Sequence, residues 1–141
     1  MNCIEYKGGY KYQLKEDYSV EIPLKPASDK NSTFITLTGS GVLTIKSGYA
    51  WDGPSGPTID TPNFMRGSLV HDALYQLMRE GFLDHNIYRE KADKLLQAHC
   101  KEDGMSSIRA WWVYQGVRFG GGPAASPDII RPIKHAPEGC L

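Results

Sequence analysis

His71 and Asp72 stand side by side in Ser68-Leu-Val-His-Asp-Ala-Leu-Tyr75, and Asp93 lies in Arg89-Glu-Lys-Ala-Asp-Lys94. An imidazole opposite a carboxylate is hydrolase chemistry. The carboxylate on one ring nitrogen fixes tautomer and orientation, leaving the other nitrogen to take a proton from water. For the pair to meet, the two segments must face each other. Residues 63–80 and 87–102 read as helices, and Gly81-Phe-Leu-Asp-His85 is long enough only for a tight reversal, which predicts an antiparallel hairpin. Position 82 is the midpoint of 71 and 93, so the two residues come to the same height on facing helices. Tyr75 follows His71 by four residues and shares its face, where its hydroxyl can reach Asp93. The same three side chains equally fit a satisfied polar cluster that holds the hairpin together without turnover.

Apolar stripes support the hairpin: Leu69, Val70, Ala73, Leu74 and Leu77 on the first helix, and Tyr88, Ala92, Leu95 and Leu96 on the second. His71 and Asp93 fall at the stripe edges, a half-dry position that would admit water or a substrate. Upstream, Gly48-Tyr-Ala-Trp-Asp-Gly-Pro-Ser-Gly-Pro57 packs three glycines and two prolines into ten residues. Glycines let a backbone turn its carbonyls onto a ligand, and prolines stiffen the result. Next to Asp72, such a loop suits a hard cation such as calcium, which would polarise an ester or amide carbonyl. The competing reading is a connector that needs glycines only to turn.

The ordered motifs Gly-Tyr-Ala-Trp-Asp, Val-His-Asp-Ala-Leu-Tyr, Lys-Ala-Asp and Val-Arg-Phe-Gly, between Gly48 and Gly120, resemble a family of small phage and prophage proteins known as a domain of unknown function, DUF1353. That resemblance covers about half the chain and implies a viral origin, but no activity. Over about forty residues the chain is also similar to the phospholipase A2 site, in the compact, disulfide-free form found in parvovirus capsid proteins. There a glycine-rich calcium loop precedes a helix bearing His-Asp-x-x-Tyr, and a second helix brings an Ala-Asp. This resemblance implies His71 as base, Asp93 as orienting carboxylate, Tyr75 as the hydroxyl, and calcium on Asp72 with Gly53, Ser55 and Gly56. The loop reads Gly53-Pro-Ser-Gly56 where the phospholipase has Gly-x-Gly.

Other chemistries find less support. A His…His-Asp…Asp phosphohydrolase needs a histidine before the His-Asp pair, and His71 is the first histidine in the chain. Cys3, Cys100 and Cys140 have no Cys-x-x-Cys spacing, and adjacent His99 and Cys100 point different ways on a helix, so a structural zinc is not indicated. Asp52, Asp60 and Asp72 could gather round a divalent ion, but their spacing does not require it. No phosphate-binding Gly-x-x-x-x-Gly-Lys-Ser/Thr loop is present. Sixteen basic and sixteen acidic side chains cancel, which removes any long-range field for nucleic acid or anionic lipid.

Three scattered cysteines point to a reducing compartment. The first residues lack a charged-then-apolar leader, and no window approaches eighteen apolar residues, so no transmembrane segment is expected. Synthesis in the host cytoplasm follows, with incorporation into a virion as a later fate.

At 141 residues the chain is long enough for one domain with a core of its own. The fold expected is α+β. Its N-terminal antiparallel sheet of two hairpins (residues 1–50) is followed by a Gly/Pro loop (51–62), a three-helix part with an antiparallel helical hairpin (63–120), and an extended Pro/Gly-rich tail (121–141). Alternating Tyr10, Tyr12 and Leu14, then Tyr18, Val20, Ile22 and Leu24, give the first hairpin, with Gly8-Gly9 and Glu16-Asp17 as turn points. Residues 34–38 and 42–46 flank Gly39-Ser-Gly41 as the second, after a polar loop at 27–32. Ser106 can cap the third helix, with Ile108, Trp111, Trp112 and Val113 as core candidates. The two tryptophans diverge by about a hundred degrees, so one is expected in the core while the other covers the sheet or meets a partner or lipid. A tail of this composition is ordered only by docking, on its own globular body or on a neighbouring subunit.

Two functions fit these residues. One is a phage-encoded hydrolase with a phospholipase-A2-like His71–Asp93 dyad and calcium, acting on an ester or amide of the host envelope, with lipid as substrate. The other is a non-catalytic tail, baseplate or capsid-associated virion component that packs against copies of itself or other virion proteins through its tail. A catalytic site must open to a cleft, whereas a structural network can be sealed.

Overall fold

Alternating apolar side chains build the sheet, and 3.6-residue stripes build the helices that cover it. The structure is a computed structural model that describes residues 4–7, 12–51, 62–120 and 133–136. In chain order the elements are β1 (Ile4–Lys7), β2 (Tyr12–Gln13), β3 (Tyr18–Glu21), β4 (Lys30–Asn31), β5 (Ile35–Leu37), β6 (Val42–Ile45) and β7 (Ala50–Trp51). They continue with α1 (Pro62–Arg79), α2 (His85–Glu102), α3 (Ser107–Gly120) and β8 (Ile133–Ala136). The fold is α+β, as the pattern of elements predicts.

The main sheet has the antiparallel order β3-β6-β5-β4. Its β5–β6 hairpin turns through Gly39-Ser40-Gly41, closed by Thr38 N to Val42 O at 3.0 Å and Gly41 N to Thr38 O at 3.0 Å. β4 falls inside the segment expected as a polar loop. The expected first hairpin resolves differently, since β2 pairs with β7 and β3 with β6. Leu14 extends the β2–β7 ribbon by donating to Tyr49 O (2.8 Å) and accepting from Gly48 N (2.7 Å). In that ribbon the Tyr12 and Trp51 rings sit 5.6 Å apart. Aromatic cross-strand packing of this kind outweighs the shorter loop a local hairpin would close. In the tail, β8 pairs antiparallel with β1, so that segment docks on the chain itself.

Ile35, Leu37, Leu43 and Ile45, all fully buried, form the inner face of the main sheet and share one core with Leu69, Val70, Ala73, Leu74, Leu77 and Met78 of α1 and Ala92 and Leu95 of α2. Each such aliphatic side chain contributes roughly 1.5–3 kcal/mol of transfer free energy. Gly81 makes the reversal between α1 and α2. At φ 83° it takes the left-handed conformation that lets Gly81 N reach Met78 O (3.1 Å) and Phe82 N reach Leu77 O (2.9 Å). Asp84 then caps α2 by accepting from Asn86 N at 2.9 Å.

Gly67 of α1 packs closely on α2: a Cβ on it would lie 3.0 Å from Leu96 Cδ1 and 3.2 Å from Cys100 Sγ. A methyl there would require these neighbouring side chains to give way by a few tenths of an ångström. A second core beneath it joins Phe64, Leu96, Cys100 and Met105 to Ala110 and Val113 of α3. Ser106 caps α3 as expected, its Oγ accepting from Arg109 N at 3.2 Å.

The large side chains of α3 are not in this core. Ile108, Trp111 and Trp112 are 75%, 47% and 65% exposed, which corrects the expectation that one indole would be buried. The helix packs through Ala110, Val113 and half-buried Val117, small side chains that allow a close approach to α2 and turn the bulky face outward.

Candidate functional site

α1 presents His71 and Tyr75 from successive turns, with their rings 4.1 Å apart, and α2 presents Asp93 opposite them. The antiparallel hairpin brings Asp93 level with these two turns, so that both side chains reach it. His71 Nε2 lies 2.7 Å from Asp93 Oδ1, and the Tyr75 hydroxyl donates to the same oxygen at 2.5 Å. The second carboxylate oxygen, Oδ2, accepts from Arg118 Nη1 of α3 at 2.9 Å. Arg89, one turn before Asp93, has its Nε 4.0 Å from Oδ2 and donates to the Tyr75 hydroxyl at 3.3 Å. Its Nη2 also reaches the carbonyls of Val117 (2.9 Å) and Arg118 (2.7 Å). A cation on the last carbonyls of α3 caps that helix end and fixes where Arg118 begins.

Arg89 and Arg118 were not among the candidates. Their signal is indirect: a carboxylate buried among helices needs cationic partners, and Arg89 is four residues before Asp93 on the same helix. Arg118 reaches Asp93 across 25 residues of sequence, a contact no local spacing encodes. Its presence also explains a departure from expectation. Asp93 has no exposed side-chain surface and His71 only 8%, because α3 and its arginine close over what the stripes alone would leave half open.

On the other edge of the imidazole stands Asp72. His71 Nδ1 lies 3.8 Å from Asp72 Oδ1, too far for a hydrogen bond, and the Asp72 side chain is one-third exposed. One nitrogen is thus tied to a buried carboxylate, and the other faces the carboxylate of partly exposed Asp72.

The charges reinforce one another. Burial disfavours a charged imidazole, but Asp72 and Asp93 together overcome it and hold the His71 pKa above its usual value. Burial would likewise raise Asp93, yet the hydrogen bonds from His71 and Tyr75 and the approach of Arg118 keep it below the ordinary carboxylate range. Tyr75 is pushed up by burial and by the anionic Asp93 it bonds to, so its hydroxyl stays protonated as a donor.

One turn before His71, Ser68 Oγ accepts from Trp51 Nε1 at 3.2 Å and donates to Met65 O at 2.9 Å. This pins the end of β7, where the Gly/Pro connector departs, beside the site helix. Of the residues considered for a cation, Asp72 is at the site, while Gly53, Ser55 and Gly56, with Asp52 and Asp60, lie outside the described residues. Among the described residues no three His, Cys, Asp or Glu side chains form a metal-holding group. His99 and Cys100 are buried in and beside the second core, where burial, with lesser help from Asp103, pushes the thiol up to about 11.

The family described as "Protein of unknown function (DUF1353)" matches residues 30–117, a span that holds every site residue except Arg118. The chain belongs to this family. No curated protein and no solved structure matches it. Among the described residues, no helix is long and apolar enough to cross a membrane.

Proposed function

We propose that this DUF1353 protein is a hydrolase in which His71 activates water against an ester or amide carbonyl, a phage- or prophage-encoded activity directed at a lipid of the host envelope. The observation that carries the reading is the asymmetry of the imidazole: Nε2 is held at 2.7 Å by a buried carboxylate, while Nδ1 faces Asp72, whose side chain is one-third exposed. At a pH above its raised pKa the His71 ring is neutral; with Nε2–H donated to Asp93, Nδ1 then takes a proton from water as the water oxygen bonds to the carbonyl carbon. The tetrahedral intermediate then expels the alcohol or amine, which recovers that proton from Nδ1. Asp93 stabilises the imidazolium formed in between, and Tyr75 and Arg118 hold Asp93 in place.

Calcium, where bound, would polarise the carbonyl. Asp72 supplies a hard, accessible carboxylate oxygen suited to it, and Gly53, Ser55 and Gly56 are the further ligands proposed from the sequence. No step above is routed through the ion.

A second reading, a non-catalytic virion or assembly component, is favoured by one observation: Asp93 is fully buried, and His71, Tyr75 and Arg118 bond both its oxygens, as in a sealed structural network.

The deciding experiment is turnover of mixed bacterial phospholipids by the full chain, with and without calcium, beside His71→Ala and Asp93→Asn. Fatty-acid release that both substitutions abolish supports the hydrolase. No release from the wild-type chain, with both variants only melting earlier, refutes it and leaves the structural role.

A further inference from the structure

α3 carries two apolar stripes. Ala110, Val113 and Val117 face the second core. On the opposite side Ile108, Trp111, Trp112, Gln115 and Phe119 recur at three- and four-residue spacings within an arc about 100° wide. Phe119 is 97% exposed. The other exposed positions of α3 are Ser107, Gly116 and Gly120, so this outward face carries no charged side chain. Arg109 and Arg118 stand half-buried at its flanks, and Arg118 is turned inward onto Asp93. Contiguous exposed apolar patches of a few hundred Å² mark interaction sites.

We propose that this face of α3 is the interface of a homodimer, in which α3 pairs antiparallel with α3 of a second copy of the chain. The dimer is compatible with either reading of the His71–Asp93 pair, because α3 itself stands between the interface and that pair.

Three observations select a second copy. The first is area. With aromatic side chains offering ~150–250 Å² each, the four apolar residues expose on the order of 500 Å². A standard stable interface buries ~800 Å² per partner, a little over half of it apolar, so its apolar part is about 450 Å². The face supplies what one side of such a dimer needs. Its two indoles and its phenyl ring are also among the side chains enriched in interface centres.

The second is charge. An isologous interface sets one patch against itself, so any charge on it would meet its like. This face has none, and the sixteen basic and sixteen acidic side chains of the chain cancel, so two copies approach without net repulsion.

The third is shape. The half of the face nearer the helix start holds both indoles, and the half nearer its end holds Gly116, where an added Cβ would have nothing within 4 Å. Parallel pairing would set Trp112 against Trp112 and leave Gly116 facing Gly116. Antiparallel pairing about a two-fold axis level with Tyr114 sets Trp112 of each copy over Gly116 of the other, two residues from the axis on either side. The same operation brings Ile108 to the partner's end of α3 at Phe119 and Gly120. Projection and opening thus lie on one surface at the separation that a two-fold axis requires.

The test is sedimentation velocity of the full chain from micromolar to hundreds of micromolar, beside Trp112→Ser/Phe119→Ser and Gly116→Glu. All three positions are exposed and Gly116 has open space around it, so circular dichroism should show both variants folded. The expected result is a wild-type dimer that dissociates on dilution, with a dissociation constant at least tenfold higher in each variant. The wild-type melting temperature should rise with protein concentration, and that of the variants should not. A wild-type chain that is monomeric at every concentration overturns the proposal. So does a dimer that both variants keep, which assigns association to another surface. A dimer lost in the double variant but kept in Gly116→Glu overturns the antiparallel pairing. A monomeric wild-type chain that co-sediments with phosphatidylglycerol vesicles, with the double variant left in the supernatant, overturns the proposal in favour of a bilayer.

Discussion

Arg118 Nη1 donates to Asp93 Oδ2 at 2.9 Å, so the carboxylate that meets His71 through one oxygen is neutralised through the other by a cation from a different helix. An aspartate with no exposed side-chain surface is costly to charge, and its partners come from α1 and α3. The site is therefore also a joint between the three helices, and its substitutions should register in stability as well as in turnover.

Asp93→Asn should lower stability by ~3–5 kcal/mol, the range for breaking a buried charged pair, because it leaves Arg118 and His71 without their counter-charge. The loss should depend on pH in a defined direction. Asp93 is depressed in the folded chain, so its contribution is full above the unfolded carboxylate value of about 4 and is lost as pH falls through the lower folded value. His71 is raised, so its contribution is full below about 6.5 and is lost as pH rises through the higher folded value. Urea melts across pH should show the wild-type advantage greatest between these limits and narrowing on both sides. A gap independent of pH would mean that the pair is not charged in the folded state.

Tyr75→Phe removes one donor from Asp93 while keeping the ring against His71. The expected loss is ~1.5–3 kcal/mol, as for hydrogen bonds to charged acceptors. Because Arg118 and His71 still hold the carboxylate, turnover of any substrate should fall less than in His71→Ala. Equal losses in the two variants would make the hydroxyl part of the chemistry.

If Asp72 is a calcium ligand, millimolar calcium should raise the melting temperature of the wild-type chain and leave that of Asp72→Asn unchanged. Without calcium, the same substitution should lower the His71 pKa, read from its imidazole NMR signals, since Asp72 is among the charges that raise it. An unshifted histidine in Asp72→Asn would leave Asp93 as its only effective partner.

Gly67→Ala gains helix propensity but sets a methyl 3.0 Å from Leu96 Cδ1 and 3.2 Å from Cys100 Sγ, both fully packed. Overpacking should prevail, with a net cost of ~1–2 kcal/mol. Adding Cys100→Ala removes the sulfur and should recover part of that loss in a double-mutant cycle. Additive losses would show that α2 simply shifts to accommodate the methyl.

The helical hairpin is legible in the sequence because its information is local. Leu69, Val70, Ala73, Leu74 and Leu77 mark one face, Gly81 marks the reversal, and equal distances from the turn bring His71 to Asp93. The Gly39–Gly41 hairpin is local in the same sense. Strand partners are not: Tyr12 pairs with Trp51 and Tyr18 with Ile45, choices made by aromatic packing and core shape across the chain. Trp111 and Trp112 mislead because hydrophobicity predicts burial, while close helix packing selected Ala110 and Val113. Arg118 could be inferred only once Asp93 was known to be buried. The candidate cation ligands Gly53, Ser55 and Gly56 lie outside the described residues and remain a reading of the sequence.

The β1–β8 pairing has a kinetic consequence. Joining Ile4–Lys7 to Ile133–Ala136 closes a loop of nearly the whole chain, the longest closed by any strand pairing among the described residues, for a ribbon of only four residues on each side. Its amides should be among the first to exchange with deuterium and the last to gain protection during refolding. A circular permutant that links the two ends through a short turn would make the same ribbon a local hairpin and reverse that order.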